Sequence, residues 1–596
     1  QHITTAGGLK LYVLPGDRGF NVLAFGVAAD GATNDAAAIN MASLACFNNG
    51  GGDVIFPPSL IAVASVISPR NNVFLVGTPG KTEIKAIASM SAVYYGSVAT
   101  SNFGAKGVIF NSDYRAGTGA IQFNEAGYTD VLFEDCAFIN SDFPWNVLVG
   151  YGQTAIKPAT PTTALATKSR NVQFHRCKIT GHQNSTLEQM ILVNVDGFTI
   201  KDCVFDQNDT QANSILAYAY SSDGLISGNT FKNVQDVCIG VQESDNIWIV
   251  DNKFEAKPTM AGRFMSIFNA ANVVVSGNIA KATKASNSKF VAAYSFAGAL
   301  FESGNYTSQY GGVFNLQVNG NIVDGCSSIA EMPQQKNSPH SFVFEDIDIS
   351  NNEVKNSGGV AVLLGNYTFV GGDQVESMKR ISVTDNIIKN FDNAEGWLLA
   401  TGTPTADITD LKISGNISGQ ASTATNAYSM RLGYVSDFSI VGNIGAGKGN
   451  RQAIRTDNEG VGLITANNTK GTGLTFTADR PVHIADNFGA TPVMERHLVW
   501  VQNTHGATIP AGSAVVLKSA GSQNQVTMTG TAGDYRVWGA TLTDIANNAF
   551  GWVVTKGRVS NLRANGVTAI VVGDRLGCFG GVGISQKAAA THTAFA

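Results

Sequence analysis

Three glutamates, Glu243, Glu302 and Glu331, are the strongest candidates for acid–base chemistry in this sequence. A sugar hydrolase needs two carboxyl groups, one that protonates the leaving oxygen and one that acts as base or nucleophile. The two groups lie about 5 Å apart in retaining enzymes and roughly 6.5–9.5 Å apart in inverting enzymes. A sugar lyase needs instead a base beside the proton to be removed, together with a cation or hydrogen-bond donor that stabilises the enolate. Because candidate carboxylates outnumber well-placed cations, the residue types favour hydrolysis over β-elimination.

Other polar and aromatic residues recur with the same spacing as Glu243. Counting nine residues back from a repeated Asn or Cys position gives Asn194, Tyr220, Glu243 and Asn269. We expect this row to line a binding groove, because aromatic rings stack on sugar faces and amides bind hydroxyls. The expected substrate-binding residues are Asn194, Tyr218, Tyr220, Asn269, Tyr294, Trp397, Arg431 and Tyr434, with Arg263 as a further candidate cation. For each acid taken alone, a simpler interpretation is a solvated turn residue, and Asp223 and Asp245 fit that role best.

A repeat must position these residues. Segments such as VLFEDCAFIN, LISGNTFKN, VVVSGNIAKA and ISVTDNIIKN share one plan, in which two short strands flank a small or polar pair and then Asn or Cys. Neighbouring copies are often 23 to 27 residues apart, and wider gaps indicate loop insertions. The repeated position is Cys136, Cys177, Cys203, Asn229, Asn252, Asn278, Asn321, Asn352, Asn386, Asn416, Asn443 and Asn467.

This spacing predicts an all-β fold, a right-handed parallel β-helix with about 24 residues and three strands per coil. The repeated Asn should lie at one bend, where its amide bonds the backbone and the Asn of the next coil. Neither a leucine-rich repeat, whose LxxLxLxxN pattern is absent, nor a propeller with about 40 residues per blade fits as well. Acids on one face of neighbouring coils, about 4.8 Å apart, would reach glycosidase distances.

The chain divides into four predicted segments. Residues 1–20 are expected to be a linker left after removal of an N-terminal region, since the sequence starts at Gln1 without Met, and the lack of a basic-then-apolar leader argues against a signal peptide. Residues 21–70 predict a cap, in which Asn34 or Asp35 begins an Ala-rich helix and Gly50 to Gly52 lead into a strand. Residues 71–485 are predicted to form the β-helix. Residues 494–596 contain alternating strands with Gly, Asn and Asp turns, and they predict a small antiparallel β-domain.

The capping segment resembles the start of bacteriophage tailspikes of the pectate-lyase-like superfamily. The matching parts are Phe25-Gly26, Asp30-Gly31, Asn34-Asp35, the Ala-rich segment 36–45 and Phe56-Pro57. The resemblance implies a homotrimer without a cofactor, attached to the phage tail or baseplate through a missing N-terminal region. It also implies action outside the cell on a host surface polysaccharide, O-antigen or capsule. Asp30, Asp35 and Asp53 are interpreted as capping and turn residues.

The amino-acid composition argues against several classes of function. The net charge is -5 and only 14% of residues are charged, so no basic field would attract nucleic acid. The seven Cys lack CxxC spacing, which favours neither zinc nor a disulfide framework, and no apolar run is long enough to insert in a membrane. A non-enzymatic receptor-binding fibre of the same fold stays open, and a plant-wall lyase is less favoured because its calcium-binding Asp cluster is not recognisable.

Overall fold

The computed structural model describes the chain in segments. These are residues 3–4, 10–11, 15–16, 19–124, 127–142, 146–150, 168–182, 188–207, 214–260, 262–283, 288–294, 312–332, 342–365, 375–391, 396–402, 408–420, 429–446, 452–457, 462–465, 467–469, 473–477, 482–485, 488–489, 497–517, 525–528, 537–556, 576–578 and 585–587.

Two compact units make up the chain. The first comprises Gln1–Leu363 and Phe369–Glu376, and the second Leu364–Thr368 and Ser377–Ala596. Both contain parallel strands that pair coil upon coil, and the fold is a right-handed parallel β-helix with a small C-terminal β-domain and, among the described residues, one α-helix. The predicted fold class is therefore confirmed, whereas the four segment boundaries stay predictions.

Each coil of the first unit contributes one strand to each of three parallel sheets. Sheet 1 follows the bend that carries the repeated Asn or Cys, and its strands are Leu60–Val63, Thr82–Ala86, Val108–Asn111, Ala137–Ser141, Lys178–His182, Val204–Asp206, Thr230–Val234, Lys253–Ala256, Ile279–Lys281, Ile322–Asp324 and Glu353–Lys355.

Sheet 2 follows sheet 1 along each coil and carries most of the candidate site. Its strands in the first unit are Ala92–Gly96, Gly119–Phe123, Val147–Gly150, Met190–Val193, Ile215–Tyr218, Ile239–Gln242, Arg263–Phe268, Lys289–Tyr294 and Ser328–Met332.

Sheet 3 completes the coil and leads back to the Asn bend. Its strands in the first unit are Phe20–Asn21, Gly52–Ile55, Val73–Val76, Ser101–Lys106, Thr129–Glu134, Ser169–His175, Val195–Lys201, Ser222–Ser227, Asp245–Val250, Ala271–Ser276, Gly312–Asn319 and Phe342–Ser350.

The second unit has the same three-sheet plan. Its sheet 1 strands are Ile387–Phe391, Ile417–Gln420, Ile444–Ala446, Asn468–Thr469 and Phe488–Gly489, and its sheet 2 strands Leu398–Thr401, Met430–Gly433, Gln452–Asp457 and Gly473–Thr477. Its sheet 3 strands are Ile408–Ser414, Val435–Ser436, Phe438–Val441, Gly462–Thr465 and Val482–Ala485. The divisions between the units fall within the strands Val362–Gly365 and Val375–Thr384.

The C-terminal strands pair mainly antiparallel, as the sequence predicts. His497–Asn503 pairs with Phe550–Lys556, and Ala514–Leu517 pairs with both Gln525–Met528 and Val537–Thr541. Their apolar core contains Val501, Ile509, Val515, Val526, Ile545 and Val553. Leu576–Cys578 and Ser585–Lys587 form a separate antiparallel pair, as do Ile3–Thr4 and Lys10–Leu11 near the N-terminus.

The repeated Asn side chains form a buried ladder at the bend between sheets 3 and 1. The amide nitrogen Nδ2 of Asn229 donates to Oδ1 of Asn252 at 2.9 Å, and Asn252 bonds Asn278 in the same way at 3.0 Å. The ladder continues through Asn321 to Asn352, and a second ladder in the second unit runs from Asn386 to Asn467. Each step also satisfies a backbone N–H of the preceding coil, so the amide ladder fixes the register of the coils.

The helix Ala36–Asn48 lies in the predicted capping segment, with η1 Val22–Phe25 before it. Asp35 occupies its N-cap but makes no capping bond, because its carboxylate instead accepts from the backbone N–H groups of Ala28 and Ala29. Asn34 accepts from the N–H of Ala36. Asp30 accepts three hydrogen bonds within its own turn, and the two backbone bonds lower its pKa to about 2. Turn roles for Asp30 and Asp35 are therefore confirmed.

The six described Cys side chains are free and buried, as small core residues would be. Cys136, Cys177 and Cys203 occupy the ladder position before its first Asn, and Oδ1 of Asn229 accepts from the N–H of Cys203. Within the described ranges, no helix is long and apolar enough to cross a membrane, and no group of three or more His, Cys, Asp or Glu could hold a metal ion.

Candidate functional site

The bend between sheets 2 and 3 has an unusual backbone. Asn194, Tyr220, Glu243 and Asn269 occupy it in four successive coils, with φ of 55°, 66°, 51° and 42°. All four are buried. Asn tolerates this left-handed conformation, but for Tyr and Glu it is uncommon and costs on the order of 1–2 kcal/mol. Strain of this kind often marks a functional position, so the bend is a starting point for the site.

Backbone hydrogen bonds join these bends from coil to coil. The N–H of Glu243 donates to the carbonyl of Phe268 at 3.0 Å, and the N–H of Tyr220 to the carbonyl of Glu243 at 2.8 Å. Between Tyr218 and Ser222 lie three bend residues, whereas the next coil has only two between the partners Gln242 and Asp245. The extra residue places Tyr220, rather than Ala219, beside Glu243.

Aromatic rings stand along the outer face of sheet 2, next to this bend. Tyr218, Gln242, Phe268 and Tyr294 are register partners in four successive strands. The rings of Phe268 and Tyr294 stack, with centroids 5.0 Å apart and planes 18° from parallel. The predicted sugar-stacking residues Tyr218 and Tyr220 are both 6% exposed and pack in an apolar cluster. Their phenol rings therefore serve packing in this structure.

Charged groups occupy the same face a few coils further on. The Nζ atom of Lys289 lies 2.6 Å from Oε1 of Glu331, in an ion pair whose side chains are 25% and 15% exposed. The guanidinium carbon of Arg263 lies 4.7 Å from the ring centroid of Tyr294, a cation–π distance. Arg263 and Lys289 are register partners at the start of their strands, so their cationic groups approach the face from one end of the sheet.

Asp236 joins this group and was missed in the sequence. It precedes the strand Ile239–Gln242, and its Oδ1 atom lies where a side chain at Gly262 would begin, 2.5 Å from an ideal Cβ. Burial raises the pKa of Asp236, and the nearby Arg263 opposes that rise. The sequence does contain a sign of this contact. Gly262, directly before Arg263, lacks a side chain and so leaves room for an acid on the preceding coil.

Tyr294 lies within electrostatic reach of Asp236, Arg263 and Glu331. Burial raises its pKa to about 12; the charges of Glu331 and Asp236 add to the rise, and Arg263 opposes it. We call Asp236, Arg263, Lys289, Tyr294 and Glu331 the sheet 2 cluster. It combines two carboxyl groups, two cations and an aromatic ring on one face, which is the chemistry the sequence predicts for a sugar-cleaving site.

The register separates two of the three predicted catalytic glutamates. Glu331 is in line with Ala292, Ser266 and Gly240 across three coil spacings, and Glu243 lies three residues beyond Gly240. Their Cα atoms are therefore on the order of 15 Å apart, farther than carboxyl groups stand in either glycosidase class. Glu302 lies outside the described residues.

The remaining predicted binding residues belong to the second unit. Tyr434 has φ of 52° at the corresponding bend after the strand Met430–Gly433, and Arg431 pairs with Leu399 and Arg455 along sheet 2. Both are half-buried. Trp397 is completely buried, so its indole offers no surface for stacking on a sugar.

The strand pairing defines a protein of the right-handed parallel β-helix class. Similar solved structures include a tailspike mutant of E. coli bacteriophage HK620 in complex with pentasaccharide, 14% identical over 91% of this chain and 92% of that one, with a TM-score of 0.46. The N-terminal fragment of gene product 12 of bacteriophage phi29 is 13% identical over 80% of this chain and 93% of its own, with a TM-score of 0.41.

Enzymes are also among the similar structures. A hyperthermoactive exopolygalacturonase from Thermotoga maritima is 13% identical over 80% of this chain and 92% of its own, with a TM-score of 0.35. No protein-family model matches the sequence, and no curated protein matches it significantly. At these identities the likeness concerns the fold alone.

Proposed function

We propose that the chain is a tailspike-type depolymerase that binds a bacterial surface polysaccharide and hydrolyses an internal glycosidic bond at the sheet 2 cluster. One observation carries the proposal: Asp236 and Glu331 flank the cations Arg263 and Lys289 on one sheet face, beside the ring of Tyr294. Fold alone does not decide function. Sugar hydrolysis requires a pair of carboxyl groups, and Glu331 is one candidate for that pair. The ring of Tyr294 is 4% exposed and lies against Arg263, so its proposed role is to position that cation.

The register places Asp236 and Glu331 at opposite ends of the cluster. Glu331 is in line with Gly240 across three coil spacings, and Asp236 lies four residues before Gly240. Their Cα atoms are therefore on the order of 20 Å apart, farther than carboxyl groups stand in either glycosidase class. Glu302 is accordingly the proposed second carboxyl group beside Glu331, and Asp236 is proposed to act through the neighbouring Arg263.

The two proposed acids would have different roles. Glu302 would give a proton to the leaving oxygen as the glycosidic C–O bond breaks. Glu331 would accept a proton from the water that attacks the anomeric carbon, and Lys289 holds its carboxylate in place. Water supplies the new hydroxyl at the anomeric carbon and the proton that balances the step.

Glu243 borders the same face, and we propose a binding role for it beside Asn194 and Asn269. Glu302 stays a candidate for the pair with Glu331, as do Arg431 and Tyr434 for polymer contacts in the second unit. The homotrimer, attachment to a phage tail and action at the host cell surface belong to the same proposal and derive from the resemblance of residues 25–57 to tailspikes.

Variants of the two acids test the reaction. With a host polysaccharide that the protein cleaves, Glu331→Gln and Glu302→Gln should each lower the rate about 10²–10⁴-fold, the usual contribution of a general acid or base. Polymer binding should stay nearly unchanged. Glu353→Gln, which alters a Glu–Lys pair on sheet 1, and Asp202→Asn, at an exposed left-handed bend, are matched controls that should keep full activity.

Product chemistry separates the alternatives. Hydrolysis gives a new reducing end, whereas elimination would give an unsaturated uronate that absorbs ultraviolet light. Binding without any product would favour the non-enzymatic receptor-binding fibre. Full activity in both single variants would contradict the proposed pair.

A further inference from the structure

A pocket of about 460 Å³ lies at the N-terminal end of the β-helix, apart from the sheet 2 cluster. Its walls come from the end of the helix Ala36–Asn48, from the segment before the strand Val73–Val76, and from the strand Ala92–Gly96 with its following turn. The volume is within the range of small-molecule sites. No lining residue of this pocket belongs to the sheet 2 cluster.

The walls of the pocket are fixed by hydrogen bonds. The side chain of Asn40 on the helix donates to the carbonyl of Val66 at 2.9 Å and accepts from the N–H of Ser68 at 3.0 Å. Asn71 accepts from the N–H of Ser101 at 2.8 Å, which ties the rim to the next coil. Such a pocket is formed before any ligand arrives, which lowers the entropic cost of binding.

Arg70 is the one charged side chain among the lining residues. Its Nε atom is buried and has no hydrogen-bond partner among the described residues, and no ion pair to Arg70 occurs there. The two terminal nitrogens of Arg70 are not among the buried atoms without a partner, so a carboxylate in the pocket would pair with them. The other walls are neutral: Tyr95 and Phe47 supply aromatic surface, and hydroxyl and amide groups supply polar contacts.

We propose that this pocket binds a carboxylated sugar unit, with Arg70 pairing its carboxylate and Tyr95 packing on its ring. An aromatic face beside a guanidinium fits an acidic sugar, because one ligand then offers an apolar ring face, hydroxyls and an anion. A bare inorganic anion would use the guanidinium alone and leave the aromatic walls uncovered. The pocket, lined by residues between Phe47 and Thr100, would hold an acidic polymer. The residues proposed to cleave that polymer belong to later coils of the β-helix.

Binding measurements on the full chain test this site. A trisaccharide of glucuronic acid, a trisaccharide of glucose and inorganic phosphate should be titrated by calorimetry or ligand-observed NMR. We expect the acidic trisaccharide to bind at least tenfold more tightly than the other two. Arg70→Met should abolish that preference, and Arg70→Lys should restore only part of it, because Lys keeps the charge but not the fork. Arg170→Met, at an exposed position on sheet 3, is the matched control and should bind as the unaltered chain does.

Three outcomes would overturn the inference. These are equal binding of the acidic and neutral sugars, phosphate binding as tight as that of the acidic sugar, and unchanged binding in Arg70→Met while its thermal unfolding matches that of Arg170→Met. Cleavage at the sheet 2 cluster does not depend on this pocket, so its failure would leave the proposed hydrolase activity standing.

Discussion

Tyr220 and Glu243 keep left-handed backbone conformations that their side chains do not favour. Their neighbours in the same row, Asn194 and Asn269, have the residue type that such a bend prefers. A purely structural bend would therefore be served by Asn in all four coils. Tyr220 packs in the apolar cluster beside this bend, a role that Asn does not fulfil. For Glu243, contact with the polymer is the proposed role.

Glu243→Asn separates the two roles. We expect the free energy of unfolding to rise by about 1 kcal/mol, because Asn relieves the left-handed strain, while polymer affinity falls. Glu243→Gln is the matched variant, since it removes the charge and keeps the strain, and it should lose affinity without gaining stability. Chemical denaturation and polymer-binding titrations measure both. Lower stability in Glu243→Asn would instead show that the buried carboxylate supports the fold.

Along the ladder, the amides act as one element. Each Asn from Asn229 to Asn321 donates to the next amide and to a backbone carbonyl of the preceding coil, and its oxygen accepts from the backbone. Inside the coils, the rings of Phe205, Phe231 and Phe254 stack at 5.0 and 4.8 Å, close to the spacing of the strands. The same register thus serves polar groups at the bend and aromatic groups in the core.

Asn252→Leu should lower the free energy of unfolding by about 1–3 kcal/mol, because it leaves buried partners on both adjacent coils unsatisfied. Asn252→Cys should cost less, since Cys136, Cys177 and Cys203 occupy the same position in earlier coils and the ladder accepts a sulfur there. Denaturant unfolding of the two variants beside the unaltered chain measures the difference. An equal loss in both would show that shape, rather than hydrogen bonding, determines which residue fits the bend.

The periodic elements could be predicted from the sequence, and the non-periodic contacts could not. The Asn ladder and the bend row recur at fixed spacing, so counting along the chain places Asn252 and Glu243 correctly. Asp236 follows no period, and it joins the sheet 2 cluster only because Gly262 leaves it room. Trp397 shows the opposite error: an aromatic residue beside an expected groove is fully buried, and composition does not distinguish a core ring from a binding ring.

At the scale of the whole molecule, the proposed trimer is the remaining test of the resemblance to tailspikes. The chain has a mass of 62.5 kDa and few charged residues, so its surface offers little like-charge repulsion to oppose association of identical copies. Closed cyclic symmetry would let three copies bury the same surface without open-ended growth. Sedimentation equilibrium should therefore give about three times the chain mass, and the value should persist on dilution. A mass of one chain across the concentration range would contradict the trimer, while the sheet 2 cluster, which lies within one chain, would keep its proposed role.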